Sequence, residues 1–434
     1  MRETEILFDL LKRGVSAVQA VGVCEERLEN AGFERLEYKE AWELRAGGRY
    51  YVNHHDTTLF AFTVGEKWTE SIAPQIRIAA AHTDFPSLRI KPSADVTSGG
   101  YAQVNVEVYG GAILNTWLDR PLGIAGRVAV RSGDVFAPIV REFVSEKSLL
   151  TIPNLAIHMN RDVNKGVELN KQTQMLPLIG LAAADILPPE QRRRDYFLSF
   201  LAEELSVEKD DILDFELTVY CKEEPEYIGI SDEFISAPRL DNLTSCSALV
   251  SGLIDGVRDE GINLIALFDH EEIGSRSKQG AGSILLHDLL LRILKEIGRE
   301  KTAQSDLYQS MILSADVAHG LHPNYAGKMD ITNKPVLGGG LCIKEASSQS
   351  YATDCEAVAV IQQICEAKSI PYQKFVNRSD MPGGGTLGAI ASALLPVKTV
   401  DIGIPLLAMH SARELMGAAD LQTLKDLTEA YFSI

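Results

Sequence analysis

From about residue 236 to the C-terminus, short uninterrupted apolar runs alternate with longer amphipathic segments. The runs, among them INLIALF and KTVDIGI, have the length of strands, whereas LTSCSALVSGLIDGVRD and SILLHDLLLRILKEIGRE between them have helical spacing. Strands that are apolar on both sides belong in parallel sheets covered by helices on both faces. This alternation predicts an α/β fold in which a mostly parallel sheet is sandwiched by helices.

The N-terminal part of the chain fits the same domain. Residues 4–30 repeat leucine and valine at helical spacing, and residues 50–92 contain the strand-like runs YYVNH, TLFAFTVG and QIRIAAAH. Between 93 and 235 short alternating runs such as AQVNVEVYGG indicate a β-rich module, although residues 177–205 within it resemble a helix. An insertion of this length costs little loop-closure entropy. We therefore predict an α/β domain of residues 1–92 and 236–434, interrupted by an inserted β-rich domain of residues 93–235.

The charge balance narrows the functions open to such a fold. The chain has 42 Lys or Arg and 60 Asp or Glu, which gives a net charge of −18. Binding to nucleic acid or to an anionic membrane needs a basic face, so neither partner is expected. No window approaches the roughly 18 apolar residues of a transmembrane helix, and the charged N-terminal segment MRETEILFDLLKRG is not a secretory leader. Because the six cysteines form no C-x-x-C pair, we expect a reduced, cytoplasmic protein.

Histidine and acidic side chains directly follow several predicted strands. In parallel α/β sheets ligands bind beyond the carboxyl ends of the strands, where such side chains meet. Singly, each has a simpler explanation: Asp241 fits a helix N-cap as well as a ligand, and the pair Glu271–Glu272 fits a solvated loop. Together they form a carboxylate cluster that repels itself unless a cation neutralises it. The residues after predicted strands are His82, Asp84, Asp269, His270, Glu271, Glu272, Asp316 and His410, and Asp241 lies just before a predicted helix that would begin at the same sheet edge.

Two histidines with several carboxylates form a donor set that suits Zn²⁺, Co²⁺ or Mn²⁺. Two metals about 3.5–4 Å apart need a bridging carboxylate and can clamp an attacking hydroxide. One glutamate of the pair Glu271–Glu272 would then bind metal while the other takes a proton from water. The signature H-E-x-x-H is absent, because His270 has no second histidine at the required spacing.

A glycine-rich stretch, MPGGGTLGAI, precedes one of the predicted helices and contains Gly384. It lacks the G-K-[ST] of a phosphate-binding P-loop. Glycines before a helix nevertheless present backbone N–H groups, which can bind a carboxylate or a carbonyl oxygen.

In chain order, the segments AAHTDFPSLRIKP, SAPRLDNL, LFDHEEIGSRSKQGAGS, SADVAHGLHPNY and MHSARE resemble the motifs of the M18 family of metallo-aminopeptidases, in particular its aspartyl aminopeptidase group. The resemblance extends over nearly the whole chain. It implies a zinc-exopeptidase-like α/β domain with an inserted β-rich domain that holds subunits together in a homo-oligomer, a tetrahedral dodecamer. It also implies a cytosolic enzyme that removes the N-terminal residue of a peptide substrate with two zinc ions per subunit, for which cobalt or manganese can substitute.

The resemblance also implies a role for each residue at the predicted sheet edge. Glu271 would be the general base, and Asp84 would orient the site without binding metal. The implied metal ligands are His82, Asp241 as the bridge, Glu272, Asp316 and His410.

Four further residues are implied to bind substrate. His319 and Lys344 match positions beside the side-chain pocket of the aspartyl-preferring members, and Gly384 lies in the glycine stretch. His158 matches a histidine of the inserted domain that reaches the site of a neighbouring subunit. A buried carboxylate needs a partner charge, so His319 and Lys344 imply a preference for Asp or Glu at the cleaved N-terminus.

Several residues near the implied substrate site depart from the usual family motifs. Phe85 stands in H-T-D-F-P where serine is common, Ser350 replaces an arginine before Tyr-Ala-Thr, and Gly383–Gly385 replace C-G-S. A preference for neutral apolar residues therefore stays open.

Two other functions also stay open at this point. One is a non-catalytic scaffold or binding protein that retains the fold, and the other is a related dizinc amidohydrolase. A degenerate scaffold should have lost some of the implied ligands or the base, whereas this chain has all of them.

Overall fold

The structure is a computed structural model that describes residues 2–68, 76–182 and 195–434. The chain divides into two compact units. The first consists of Met1–Asp84, Pro225–Met409 and Glu414–Ile434, and the second of Phe85–Glu224 with the short segment His410–Arg413.

The long segment of the second unit begins at Phe85 and ends at Glu224, in both cases earlier in the chain than the predicted domain borders at 92/93 and 235/236. The strand Ser87–Ser98 runs across residue 92 without a break, so a border there would cut a continuous strand. The α/β fold class with a β-rich inserted part is confirmed.

Nine α-helices occur in the described ranges. The single helix expected over residues 4–30 is two helices, because Gly14 leaves the helical conformation (φ −78°, ψ 64°) while its N–H bonds the Leu10 carbonyl. The helices are α1 (Glu3–Arg13), α2 (Ala17–Asn30), α3 (Tyr196–Leu205), α4 (Leu240–Asp255), α5 (Leu285–Glu296), α6 (Ala303–Tyr308), α7 (Cys355–Lys368), α8 (Leu387–Leu394) and α9 (Asp420–Ser433).

The described part of the chain also forms three sheets, of nine, six and five strands. The strands are β1 (Glu34–Arg35), β2 (Arg49–His54), β3 (Thr58–Val64), β4 (Ile76–His82), β5 (Ser87–Ser98), β6 (Tyr101–Tyr109), β7 (Leu122–Val130), β8 (Ile139–Val144), β9 (Leu178–Leu181), β10 (Ile212–Cys221), β11 (Glu226–Ile228), β12 (Phe234–Ala237), β13 (Ile262–Phe268), β14 (Met311–Ala315), β15 (Ala318–His319), β16 (Leu341–Glu345), β17 (Tyr372–Val376), β18 (Lys398–Gly403), β19 (Pro405–Leu407) and β20 (Glu414–Gly417).

The nine-stranded sheet is the core of the first unit, in the order β1-β2-β3-β13-β4-β14-β18-β16-β17. Its centre, from β13 through β4 and β14 to β18, is parallel, whereas β3 and β16 run antiparallel to their neighbours in that centre. Every residue of β13 is buried, as a strand covered on both faces requires. Helices α5 and α8 pack on the sheet in one apolar cluster, and α4 contacts β4 and β13.

The second unit contains the six-stranded sheet, ordered β8-β7-β10-β5-β6-β9 and antiparallel throughout. Its apolar core includes Phe197 from α3 and Leu217 from β10. The helix expected over 177–205 is partly wrong: Leu178–Leu181 is a strand, because it pairs with β6, and of the described residues in this range Tyr196–Leu205 are helical. Residues 183–194 lie outside the described ranges.

The five-stranded sheet belongs to the first unit and has the order β11-β12-β20-β19-β15. Across the ranges that the structure describes, no helix combines the length and the apolar character needed to cross a membrane.

Candidate active site

The carboxyl ends of three neighbouring parallel strands hold most of the predicted site. His82 is the last residue of β4 and lies opposite Phe268, the last residue of β13. Glu271 and Glu272 begin a short 3₁₀ turn just after β13, and Asp316 follows β14 directly. Because these strands are parallel and adjacent, their side chains meet at one edge of the sheet.

His82 lies at the centre of this edge and is 1 % exposed. Its Nε2 atom is 3.4 Å from Asp241 Oδ1, 3.6 Å from Asp316 Oδ1 and 3.9 Å from Glu271 Oε2. Its Nδ1 atom lies 3.0 Å from the carbonyl oxygen of Asp84. When Nδ1–H donates to a carbonyl, the lone pair lies on Nε2, which is the form of histidine that binds a metal.

Asp84 connects this histidine to the two glutamates. One carboxylate oxygen accepts the backbone N–H of Glu271 and the other accepts that of Glu272, both at 3.1 Å. Asp84 Oδ1 also lies 3.3 Å from His82 Nδ1. Asp84 is 3 % exposed, so these hydrogen bonds to the two glutamates are buried in the protein.

The electrostatics of the edge favour a cation. Burial is the largest cause that raises the pKa of Glu271 to about 8; His82 opposes the increase, and Asp316, Asp84 and Asp241 add to it. Burial alone would lower the pKa of His82, but the neighbouring carboxylates of Asp241, Asp316 and Asp84 raise it well above its usual value. A divalent cation reverses both effects, because it stabilises carboxylates and competes with the imidazole proton.

The donor set fits such a cation. The ligand atoms of His82, Asp241 and Asp316 all lie within 4.8 Å of one another, and so do those of His82, Glu271 and Glu272. One imidazole cannot neutralise this many carboxylates even when protonated. Nitrogen and oxygen donors without cysteine are the ligands that catalytic zinc prefers.

Asp241 lies at the start of α4, where the backbone is not helical (φ −82°, ψ 105°). Its carboxylate faces His82, and its backbone N–H donates to Glu414 Oε2 at 3.0 Å. Glu414 is 3 % exposed and was not among the predicted site residues. Its position four residues after His410 in the segment MHSARE was the only signal.

His410 does not follow a strand of the large sheet as expected. The run KTVDIGIPLLAM is two strands, since β18 ends at Gly403 and β19 pairs in the five-stranded sheet. His410 groups with the second unit, where its Nδ1 lies 3.3 Å from the Gly111 carbonyl oxygen. This is the same ring orientation towards a backbone carbonyl that His82 has.

Lys344, near the end of β16, is 2 % exposed. Its Nζ donates to the Val317 carbonyl at 2.9 Å, lies 3.6 Å from Asp316 Oδ2 and is 4.9 Å from the centre of the Tyr351 ring. Burial alone would lower the pKa of Lys344, but Asp316, Tyr351 and Asp401 raise it. The ammonium group is therefore charged at neutral pH and lies beneath the sheet edge.

His319 is exposed, and two aromatic rings, those of Phe375 and Tyr351, lie between it and Lys344. The centre of its ring is 5.8 Å from that of Phe375, which is 6.2 Å from that of Tyr351. We call His319, Lys344, Tyr351 and Phe375 the His319–Lys344 cluster.

Gly384 is exposed, in a segment that contacts the residues around this cluster. Asn377 donates from Nδ2 to Tyr351 Oη at 3.5 Å, and a Cβ at Gly383 (φ +64°) would overlap the Asn377 side chain. The Thr386 N–H donates to the Ser350 carbonyl at 3.2 Å. Predicted substrate residues that are distant in sequence thus lie around one aromatic cluster.

His158 lies in the second unit, in an exposed turn. Its neighbours Leu155, Ile157 and Met159 are between half and three-quarters exposed, at 51 %, 50 % and 73 %.

Comparison with known proteins gives a consistent result. The model of a protein family described as "Aminopeptidase I zinc metalloprotease (M18)" matches residues 10–432. A curated relative from Clostridium novyi, described as "Probable M18 family aminopeptidase 2", is 42 % identical over 416 residues, which cover 95 % of this chain and 94 % of the relative.

Solved structures share the fold over almost the full length. A chain in the cryo-EM structure of the Ape4 and Nbr1 complex superposes with a TM-score of 0.93 at 34 % identity, covering 99 % of this chain and 85 % of that one. The structure of the S. cerevesiae mApe1 dodecamer superposes with a TM-score of 0.82 at 24 % identity, covering 99 % and 96 %.

Proposed function

This chain belongs to the M18 family of zinc aminopeptidases and is a metallo-aminopeptidase, and we propose that it cleaves N-terminal residues with a cocatalytic pair of zinc ions. The number of ions and the bridging arrangement are part of this proposal, as is the ability of cobalt or manganese to substitute. The proposed ligands are His82, Asp241 as the bridge, Glu272, Asp316 and His410.

One observation carries the proposal. The Nε2 atom of a fully buried histidine faces carboxylates from three separate chain segments, at 3.4 Å for Asp241, 3.6 Å for Asp316 and 3.9 Å for Glu271. Such a cluster is stable only around positive charge. When bound, the zinc pair supplies Lewis acidity to the scissile carbonyl and to a water molecule.

Within this site Glu271 is the proposed general base. Its carboxylate takes a proton from the attacking water and donates it to the leaving amine. Asp84 holds the backbone of Glu271 and Glu272 by two hydrogen bonds, which leaves their side chains directed at the sheet edge. The glutamate pair thus divides into a base and a ligand.

We further propose that the His319–Lys344 cluster selects the N-terminal side chain, with a preference for Asp or Glu. The support is the positive charge of Lys344, which lies beside the proposed metal ligand Asp316. Because this charge is buried, its interaction with the carboxylate of a bound acidic side chain would be strong. His319 provides an exposed donor at the other end of the cluster, and the Gly384 segment provides backbone N–H groups.

The proposed assembly is a homo-oligomer, and specifically a tetrahedral dodecamer in a reducing cytoplasm. The support is that the similar S. cerevesiae mApe1 structure is a dodecamer, that the apolar side chains around His158 are exposed, and that none of the six cysteines forms a disulfide in the structure. In that assembly His158 would reach the site of a neighbouring subunit.

A panel of N-terminal aminoacyl amides, assayed with added Zn²⁺, Co²⁺ or Mn²⁺, tests the proposed function. Metal-dependent release of the N-terminal residue is expected, fastest for aspartyl and glutamyl amides. Sedimentation of the same sample measures the assembly. Cleavage of internal amides only, or activity in excess chelator, would contradict the aminopeptidase mechanism.

A further inference from the structure

Asp401 is another buried carboxylate that lies close to the site and belongs to no proposed ligand set. Asp401 is 0 % exposed and lies in the apolar strand β18. In the strand register its neighbours are Ser314 on one side and Lys344 on the other. A charged group this deeply buried is costly unless it is paired and hydrogen-bonded.

The hydrogen bonds of Asp401 join two loops. Its Oδ2 atom accepts the backbone N–H of Ala352 at 2.6 Å, and its Oδ1 atom accepts the hydroxyl of Thr386 at 2.7 Å. Ala352 lies in the loop of residues 346–354, which we call the β16–α7 loop. Thr386 is the last residue of the loop 382–386, which we call the glycine loop. The Asp401 backbone N–H also donates to Thr353 Oγ1 at 2.9 Å, so the contact with the β16–α7 loop is double.

At Thr386 the hydrogen bond to Asp401 takes the place of the usual helix-capping hydrogen bond. It is the N-cap residue of α8, yet its side chain makes no capping hydrogen bond to that helix. Its hydroxyl is used for Asp401 instead. Gly388 lets the helix approach, because a Cβ there would lie only 2.8 Å from Asp401 Oδ1.

The two loops are those that hold the proposed substrate residues. The β16–α7 loop contains Ser350 and Tyr351, and the glycine loop contains Gly384. Burial raises the pKa of Asp401, and the positive charge of the neighbouring Lys344 limits that increase.

We propose that Asp401 is a positioning residue of the substrate site, which ties the β16–α7 loop to the glycine loop and so fixes the spacing between Tyr351 and Gly384. The inference rests on the proposed function, since it assigns the loops to substrate binding. Asp401 itself touches no reacting atom. Loss of the tie should affect substrate binding more than the chemical step.

The test uses the zinc-loaded full chain with Thr386→Val, which removes the hydroxyl and nearly preserves the shape. We expect kcat/KM for aminoacyl amides to fall about ten- to hundredfold, mainly through KM, because small displacements of positioning groups have effects of that size. Zinc content should be unchanged, and Thr386→Ser should restore activity. The matched control is Thr399→Val, which removes a buried threonine hydroxyl in β18 that bonds the Val397 carbonyl, and it should behave as the unmodified enzyme.

Hydrogen exchange gives a readout that does not depend on turnover. In Thr386→Val the amide of Ala352 should exchange faster, although Thr386 does not touch it directly: Asp401 bonds both residues, and the Thr386 N–H bonds the carbonyl of nearby Ser350. A role confined to capping α8 would raise exchange only within residues 387–394. Asp401→Ala should have the same effects. In the double variant, adding Thr386→Val to Asp401→Ala should change KM and the exchange at Ala352 little further.

Unchanged KM together with unchanged exchange at Ala352 in Thr386→Val would overturn the proposal, as would loss of zinc in parallel with activity. If the unmodified enzyme releases no N-terminal residue at all, the proposed function fails. In that case faster exchange at Ala352 would support the tie between the loops, and unchanged exchange would reject it.

Discussion

The carboxylate of Asp84 accepts the backbone N–H of Glu271 at 3.1 Å, so the residue proposed to move the proton is held through its main chain. A second bond from the same carboxylate, to the N–H of Glu272, fixes the neighbouring proposed ligand. Base and ligand are therefore oriented by one buried group.

Asp84→Ala should lower kcat by more than tenfold at saturating zinc, because Glu271 loses the bond that orients its backbone. Zinc affinity should also fall, by about 10–100-fold, since Asp84 lies beside His82 Nδ1 as well. Steady-state kinetics and a zinc titration measure the two effects. Asp134→Ala, which removes an exposed carboxylate that accepts the Phe136 N–H in the second unit, is the control. Equal kcat in Asp84→Ala and the unmodified enzyme would show that Asp84 does not position the base.

Asp241→Ala should lose both metals together, because a bridging ligand belongs to both coordination shells. Elemental analysis of the purified chain gives the metal content directly. Asp354→Ala is the matched control, since Asp354 caps α7 through the Ala357 N–H at 2.9 Å. That change should cost about 1 kcal/mol of stability and leave both metals bound. Two metals per chain in Asp241→Ala would support a helix-cap role instead.

Lys344→Met should reduce kcat/KM for aspartyl and glutamyl amides far more than for leucyl amides, since the buried ammonium is the charge proposed to receive the acidic side chain. The control is Lys374→Met on the adjacent strand, where the lysine pairs with Glu345 at 2.6 Å. If leucyl amides are the best substrates and Lys344→Met changes their ranking little, the acidic preference is wrong, while the zinc mechanism is unaffected.

The stability of the fold should depend on pH through Asp420. This buried carboxylate accepts the backbone N–H groups of Gly338 and Gly340, and burial raises its pKa from 3.8 to about 6. The folded state therefore retains a proton that the unfolded chain has released, so the stabilisation by Asp420 is complete below pH 3.8 and is lost as the pH rises through about 6. In urea unfolding, the free energy of unfolding of the unmodified chain minus that of Asp420→Asn should be about 2 kcal/mol larger at pH 4 than at pH 7. A pH-independent difference between the two would contradict the shifted pKa.

The sequence predicted the parts of the site that follow from strand ends. His82, Glu271 and Asp316 come directly after apolar runs that are parallel neighbours, so their proximity follows from topology alone. His410 shows the limit, because an uninterrupted apolar run proved to be two strands in two sheets. The break at Gly14 was likewise hidden, because leucine and valine spacing continues across it.

The supporting residues were not predictable in the same way. Asp401 is the one charged residue within the run TVDIGI, and Glu414 is one of many glutamates. What distinguishes both is burial together with bonds to backbone amides far away in the sequence, at Ala352 and Asp241. Such pairings depend on how the loops pack, which no local pattern records.

The most direct test of the proposed mechanism is the turnover of metal-loaded Glu271→Gln. The substitution preserves the size of the side chain and removes its ability to take a proton, so kcat should fall by at least about 10²–10⁴-fold while two metals per chain remain bound. Glu272→Gln, at the neighbouring proposed ligand, should instead lower the metal content. A near-normal kcat in Glu271→Gln with both metals present would show that Glu271 is not the general base.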